Sequence, residues 1–212
     1  MTTYLLRVWV PDRPGALGAV ASRIGAVRGD LIGIDILERG AGRAIDELVV
    51  QLPDDNGDLV PLLIAEVSQV DGVDVEDVRP VSDVVDHRLD ALETAALLVE
   101  QSTTETLLST LAEHAAIDFE AEWAAVAGEG GVGAVVGEAP SAEWIAAFVE
   151  GSRSSQSVAS FDTGPDDTAW APLPGSGLGL VIGRRGRPFR ARERRQLGAL
   201  ARIADHRLMH LR

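Results

Sequence analysis

With 212 residues, 46% of them hydrophobic, the chain can form one large or two small domains, and having no Cys it excludes disulfides, thiolate nucleophiles and thiolate metal sites. No apolar run approaches the ~20 residues of a membrane span and no secretory leader opens the sequence, so a cytoplasmic protein without a membrane partner is expected. The net charge of −14 is uneven: residues 1–80 hold 7 Arg against 14 acids, residues 81–183 hold 2 against 17, and residues 184–212 hold 10 against 2, so the body would repel nucleic acid and only the C-terminal end could attract it.

Tyr4 to Val10 is rich in β-formers and predicts a strand, with Leu6, Val8 and Val10 on one face. The turn Asp12-Arg13-Pro14-Gly15-Ala16-Leu17 follows, then an amphipathic helix from about Gly15 to Val27. Asp12 suits a helix cap, Pro14 a helix start, and Gly15 leaves the backbone open to a neighbour. Free N–H groups at such a start, with the helix dipole behind them, can hold a carboxylate. Gly29 is expected to end the helix in a left-handed cap. Leu31 to Arg39 predicts a second strand carrying Ile32, Ile34 and Ile36 on one face, Gly40-Ala41-Gly42 a hairpin turn, and Arg43 to Leu52 a third strand. A helix over Leu59 to Val70, with Leu59, Leu62, Leu63, Val67 and Val70 as its stripe, and a strand over Val73 to Pro80 complete a β-α-β-β-α-β order in about 80 residues.

In that frame, Asp12-Arg13-Pro14-Gly15-Ala16-Leu17 after strand one, Ile32-Gly33-Ile34-Asp35-Ile36 in strand two and Asp71-Gly72-Val73 before strand four resemble the ACT domain, a small-molecule sensing module of amino-acid metabolism. The resemblance covers residues 1–80 and implies a ferredoxin-like fold that pairs with a second copy. It also implies an effector, often an amino acid, near the first turn. Carried over, the ligand-binding positions are Asp12, Arg13, Pro14, Gly15, Ala16 and Leu17, with Ile34 and Asp35 opposite. Many effector-binding members carry Asn where Asp12 or Arg13 stands. Arg13 can therefore either pair with a ligand carboxylate or face solvent, and some members of the family only dimerise.

Residues 81–101 lack Gly and Pro and predict a connecting helix. Val85, Leu89, Leu92, Ala96 and Val99 recur at spacings of four and three, which fits either a short coiled-coil seam or a face packed on the next domain. Ser102-Thr103-Thr104-Glu105 reads as an N-cap signature ahead of a helix with Leu107, Leu108 and Leu111 on its apolar side. Strands are expected over 123–127 and 132–136, a helix from Ser141 through Val149, and a polar loop over 152–157. A weak strand at 158–161 and a loop at 163–167 come next, then strands over 168–173 and 177–184 and a long final helix. The run Ala171-Pro172-Leu173, Leu178-Gly179-Leu180-Val181-Ile182-Gly183-Arg184, Pro188-Phe189 and the Leu197–Leu200–Ala201 helix resembles the end of a GAF domain. That resemblance covers about residues 88–210 and implies a six-stranded antiparallel sheet between helices, of a degenerate kind, in a domain placed at residues 102–212. No Lys is present for the cyclic-nucleotide signature, no Cys for a bilin, and His114 on a helix suits ordinary packing better than haem ligation.

The fold class expected is thus α+β, a ferredoxin-like ACT domain followed by a GAF-like α/β/α domain. No metal or cofactor is expected. His206 and His210 share a helix face, but with Asp205 they make a poor zinc set, and a solvated helix end is the simpler account. Gly175 to Gly179 precedes a strand, which argues against a phosphate cradle. No nucleophile–base set is visible. The seven Arg between Arg184 and Arg195 call for acidic partners, either the chain's own carboxylates or a second subunit, or else nucleic acid or another protein. The function expected is a non-catalytic homodimeric regulator that senses an amino acid through its first domain and relays the signal through its second. The alternatives are a ligand-free scaffold, or binding of nucleic acid or an acidic partner through the Arg run.

Overall fold

The structure, a computed structural model, describes residues 1–54, 59–81, 87–154 and 167–211, with the side chains of residues 87 and 88 left aside. The chain divides into two compact units, Met1–Val85 and Asp86–Arg212. Each is an antiparallel sheet of four strands packed with helices, so the protein is α+β.

The first unit runs β1 (Thr2–Pro11), α1 (Ala16–Ala26), β2 (Asp30–Gly40), β3 (Arg43–Leu52), α2 (Leu59–Val67) and β4 (Asp74–Val81), with strand order β2-β3-β1-β4. Alternation sends Leu6, Val8, Val10, Leu48, Val50 and Leu52 to one face of the sheet, where Ala16, Val20 and Ile24 of α1 and Leu63 and Val67 of α2 complete the core. Leu62, expected in the α2 stripe, is exposed instead. The other parity of β1 and β3 carries a buried ion pair: Arg7 sits directly across from Glu47, and its Nη2 lies 3.0 Å from Glu47 Oε1. The β2–β3 turn places Ala41 at φ 50° and Gly42 at φ 76°, as a tight hairpin requires.

The end of α1 departs from expectation. Arg28, not Gly29, takes the left-handed conformation, at φ 61°. Arg28 N–H donates to Gly25 O and Gly29 N–H to Ile24 O, both at 3.0 Å, the paired bonds of a Schellman motif. Glycine is needed at 29 for space: a Cβ there would lie 2.9 Å from Ile24 Cγ2 and 3.1 Å from Leu52 Cδ2.

The second unit runs α3 (His87–Glu100), α4 (Thr104–Asp118), β5 (Trp123–Gly128), β6 (Gly131–Gly137), α5 (Ala142–Ser154), β7 (Thr168–Leu173), β8 (Leu178–Gly183) and α6 (Ala191–Leu211), with strand order β6-β5-β8-β7. Among the described residues this sheet has four strands rather than six. The expected strand and loops between 155 and 166 lie outside the described residues, and α5 continues through the start of the polar loop predicted at 152. Even-numbered residues of β5 and β8 (Ala124, Val126, Leu180, Ile182) face α4 and α6, while Ala125, Ala127 and Val181 face α5. Thr103 caps α4 by accepting from Thr106 N–H at 3.2 Å, so the reciprocal partner is Thr106 and not Glu105.

The helix expected as a connector, α3, belongs to the second unit and packs on α4 and α6. It does so through Thr94 and Leu98, which are buried, and Thr94 Oγ1 lies 3.3 Å from His114 Nδ1. The seam residues Leu89, Leu92, Ala96 and Val99 are exposed. Val85, the seam's first position, lies outside the described residues.

Candidate ligand-binding site

Three turns of the first unit meet at one end of its sheet. Asp12 N–H donates to Gly42 O at 2.9 Å, tying the β1–α1 turn to the β2–β3 hairpin. The α2–β4 turn closes the third side: Arg43 Nη2 donates to Gly72 O at 3.1 Å, and Arg13 Nη2 lies 4.0 Å from Asp71 Oδ2. A Cβ on Gly72 would sit 2.8 Å from Pro11 Cγ, so glycine lets these two turns touch.

The turn itself is not capped as its sequence suggests. Gly15 is the N-cap residue, at φ 87° and ψ −14°, and no side-chain hydrogen bond caps the helix. Asp12 stands three residues too early to reach the first turn, and Pro14 precedes the cap instead of opening the helix. Left-handed Gly15 sets the start at Ala16. The reason lies in backbone geometry: a positive φ there redirects the chain between Pro14 and the helix, which glycine tolerates at no steric cost. Ala16 N–H reaches Arg13 O at 3.3 Å and Ala19 N–H reaches Gly15 O at 3.0 Å. The amides of Leu17 and Gly18 have no hydrogen-bond partner among the described residues. Nothing lies within 4 Å of a Cβ built on Gly15 or Gly18, so the backbone is uncovered on that side at both positions.

Of the residues expected at the site, Asp12, Arg13, Pro14 and Gly15 are exposed on this turn, Ala16 is buried in the core and Leu17 is half-buried. Ile34 and Asp35 are not brought to it within one copy. Ile34 pairs with Leu48, five residues along β3 from Arg43, which is about 17 Å along the strand. Arg13 is 60% exposed in its side chain and faces the fully exposed Asp71, so it is placed toward solvent.

One residue was missed. Asp46 lies on the apolar parity of β3, in line with Leu48, Val50 and Leu52, and is flanked by Val8 on β1 and Ile36 on β2. It is only 4% exposed, and its Oδ1 has no hydrogen-bond partner. Burial raises its pKa above the usual 3.8; Arg39 opposes that shift and Asp12 adds to it. The signal was present in the sequence, as a carboxylate on the strand parity that otherwise holds only apolar residues.

In the second unit part of the Arg run is held internally, while Arg185 and Arg195 are exposed. Arg184 is buried and donates to Phe119 O at 2.7 Å, Arg187 O at 2.8 Å, Pro188 O at 3.1 Å and Glu193 Oε1 at 2.6 Å, with its guanidinium 4.0 Å over the Phe189 ring. Arg194 donates to Thr168 O at 3.0 Å, and Arg187 pairs with Glu120. The Gly175–Gly179 loop is likewise occupied: the amides of Gly175 and Ser176 donate to the Asp205 carboxylate at 2.7 and 2.9 Å. Asp205 is therefore committed to that loop and not to a metal. The rings of His206 and His210 lie 4.5 Å apart, and no cluster of three metal-ligating side chains exists among the described residues. No described helix is long and apolar enough to cross a membrane.

The class defined by these observations is a two-unit α+β protein with antiparallel sheets. No family model and no curated protein matches the chain. Among solved structures, a formyltetrahydrofolate deformylase from Pseudomonas putida KT2440 aligns over 47% of this chain and 39% of its own, at 19% identity and a TM-score of 0.29. The chain thus spans well under half of that enzyme's length. An unknown protein from Galdieria sulphuraria aligns over 97% of this chain and 92% of its own, at 14% identity and a TM-score of 0.34. Neither likeness is close enough to carry a functional reading.

Proposed function

We propose that this chain is a non-catalytic regulatory protein whose first, ACT-like unit binds a small molecule carrying a carboxylate, an amino acid in the reading favoured here. The observation that carries this is the pair of unpartnered amides, Leu17 and Gly18, at the uncapped start of α1, where the backbone is uncovered at Gly15 and Gly18. Two successive N–H donors with the positive end of a helix dipole behind them suit a carboxylate. The second, GAF-like unit would carry the response by pairing with a second copy. The exposed α3 stripe supports this, because Leu89, Leu92, Ala96 and Val99 keep the heptad spacing of a helix seam and are exposed. Ligand binding would then act by favouring one arrangement of the pair over another. Binding of nucleic acid through the Arg run is disfavoured, since Arg184, Arg187 and Arg194 are already bonded within the unit. A cytoplasmic location fits the absence of Cys.

The test is a thermal-shift screen of the twenty amino acids at millimolar concentration, followed by amide NMR with any that stabilises. The Leu17 and Gly18 amide signals are expected to move more than any others. A stabilising ligand that leaves both unmoved places the site elsewhere, and no stabilisation by any amino acid ends the sensing reading.

A further inference from the structure

Helices α3 and α6 lie side by side in the second unit, and Arg207 of α6 donates to Gln101 O, just past the end of α3, at 2.6 Å. A groove of about 510 Å³ runs along them, floored by Val99, Ala199 and Ile203 and edged by Arg202, His206 and His210. Ala199 and Ile203 continue it into a second hollow beside Asp90 and Ala91, so the apolar floor follows α3 from its first turn to its last.

The two helices carry opposite charge on their exposed sides. On α3 the apolar stripe of Leu89, Leu92, Ala96 and Val99 is bordered by exposed Glu93 and Glu100, each one position past a stripe residue. On α6 the row Gln196, Ala199, Ile203, His206 and His210 keeps the same spacing of three and four. It is bordered by exposed Arg195 and Arg202, each one position before a row residue. The acids of α6, Glu193 and Asp205, are buried and bonded elsewhere, so the charged side chains on its exposed side are cations alone. Within the unit these charges do not meet. The side chains of Glu93, Glu100 and Arg202 have neither an ion pair nor a hydrogen bond among the described residues, and Arg195 bonds only Ala191 O of its own helix.

An apolar stripe with an acidic border and an apolar groove with a cationic border are complements that one copy does not bring together and a two-fold pair brings together twice. Stripe-to-stripe pairing would instead gather Glu93 and Glu100 of both copies along one seam and leave the α6 cations unanswered. The borders also match in length: Glu93 and Glu100 are seven positions apart, and so are Arg195 and Arg202, so both ion pairs can form at once. We propose that the occupant of the groove is α3 of a second copy, its stripe seated on the α6 row with Glu93 and Glu100 against Arg195 and Arg202. This rests on the reading that the second unit pairs with a second copy, and adds which element of that copy it meets.

The experiment is light scattering over a concentration series. It compares the full chain, the double variant Glu93→Arg with Glu100→Arg, the double variant Arg195→Glu with Arg202→Glu, and an equal mixture of the two variants. Each variant alone sets like charges against one another at both contacts and is expected to weaken the dimer at least about 100-fold. In the mixture every contact again joins acid to base, so a heterodimer is expected, within about tenfold of the parental affinity. An α6 variant that dimerises as the parent does overturns the assignment while leaving pairing through the α3 stripe standing, because stripe-to-stripe contact would not feel a change on α6. Two monomeric variants that stay monomeric when mixed overturn it as well. The unaltered protein gives an independent answer should a variant fold poorly. Raising NaCl from about 50 to about 500 mM is expected to weaken its dimer roughly tenfold, and a dimer indifferent to salt overturns the ionic match. A monomeric parent removes this proposal together with the pairing reading, and leaves the ligand reading of the first unit to its own screen.

Discussion

Arg184 organises the second unit from a single position. Its guanidinium satisfies the carbonyls of Phe119, Arg187 and Pro188 and the Glu193 carboxylate at once, so it joins the end of α4 to the β8–α6 connection and the first turn of α6. Arg184→Ala would remove the donor that serves three carbonyls and the charged partner of the buried Glu193 carboxylate, whose Oε2 would keep its bond from Arg190 N–H at 2.8 Å. The expected cost is about 3–5 kcal/mol, measured by denaturant unfolding, with Arg184→Lys recovering only part because an ammonium lacks the fork. Asp46 makes the opposite prediction. Its folded pKa is raised by burial, so the native state holds the proton more tightly than the unfolded chain does, and stability falls as pH rises from the unfolded value of 3.8 through the folded one. Asp46→Asn is therefore expected to raise the melting temperature near neutral pH, with the difference vanishing as the pH drops below the unfolded value of 3.8. A variant no more stable than the parent near neutrality would show that the buried charge is already compensated. At this scale the sequence was only partly legible. Arg184 could be seen as one of seven Arg in a charge run, but its carbonyl partner at Phe119 is 65 positions away along the chain.

The elements follow from local rules, and their ends show where those rules stop. Alternation of side chains identifies β1, β3 and β8 because neighbouring residues point to opposite faces whatever the rest of the chain does. The stop of α1 was assigned to the right place but to the wrong residue: Arg28 adopts the left-handed turn and Gly29 supplies room against Ile24 and Leu52. Gly29→Ala therefore forces a methyl into space already filled, at an expected cost of about 1–3 kcal/mol by thermal or denaturant unfolding. Were the glycine there only for its backbone, a residue with negative φ would accept Ala without loss. Thr103→Ala removes the cap that accepts from Thr106 N–H and is expected to cost about 1 kcal/mol. The start of α1 had the reverse difficulty. Asp12 and Pro14 look like a cap and a first helical residue, yet the left-handed Gly15 moves the start beyond both.

For the whole molecule, the outstanding feature is the apolar stripe of α3. Leu92 is 69% exposed and Val99 55%, while Thr94 and Leu98 on another face of the same helix are buried. A helix with an apolar seam facing water is a partner surface more often than a tolerated defect. Leu92→Lys is expected to convert a dimer to a monomer in light scattering without lowering the melting temperature of the second unit, because the changed side chain leaves the core. A monomeric parent protein would contradict the pairing.

By itself the sequence determined the β-α-β-β-α-β order of the first unit, the hairpin at Gly40-Ala41-Gly42 and the turn at Asp12–Leu17, because periodicity and turn chemistry are local properties of the chain. Only the tertiary structure decided that Asp46 is buried with an oxygen left unbonded, that Arg184, Arg187 and Arg194 are held within their own unit, that Asp205 fills the Gly175–Ser176 loop, and that α3 turns its heptad face outward. Each of these depends on which distant residues come together across a sheet or between helices, and burial and hydrogen-bond satisfaction exist only once they have.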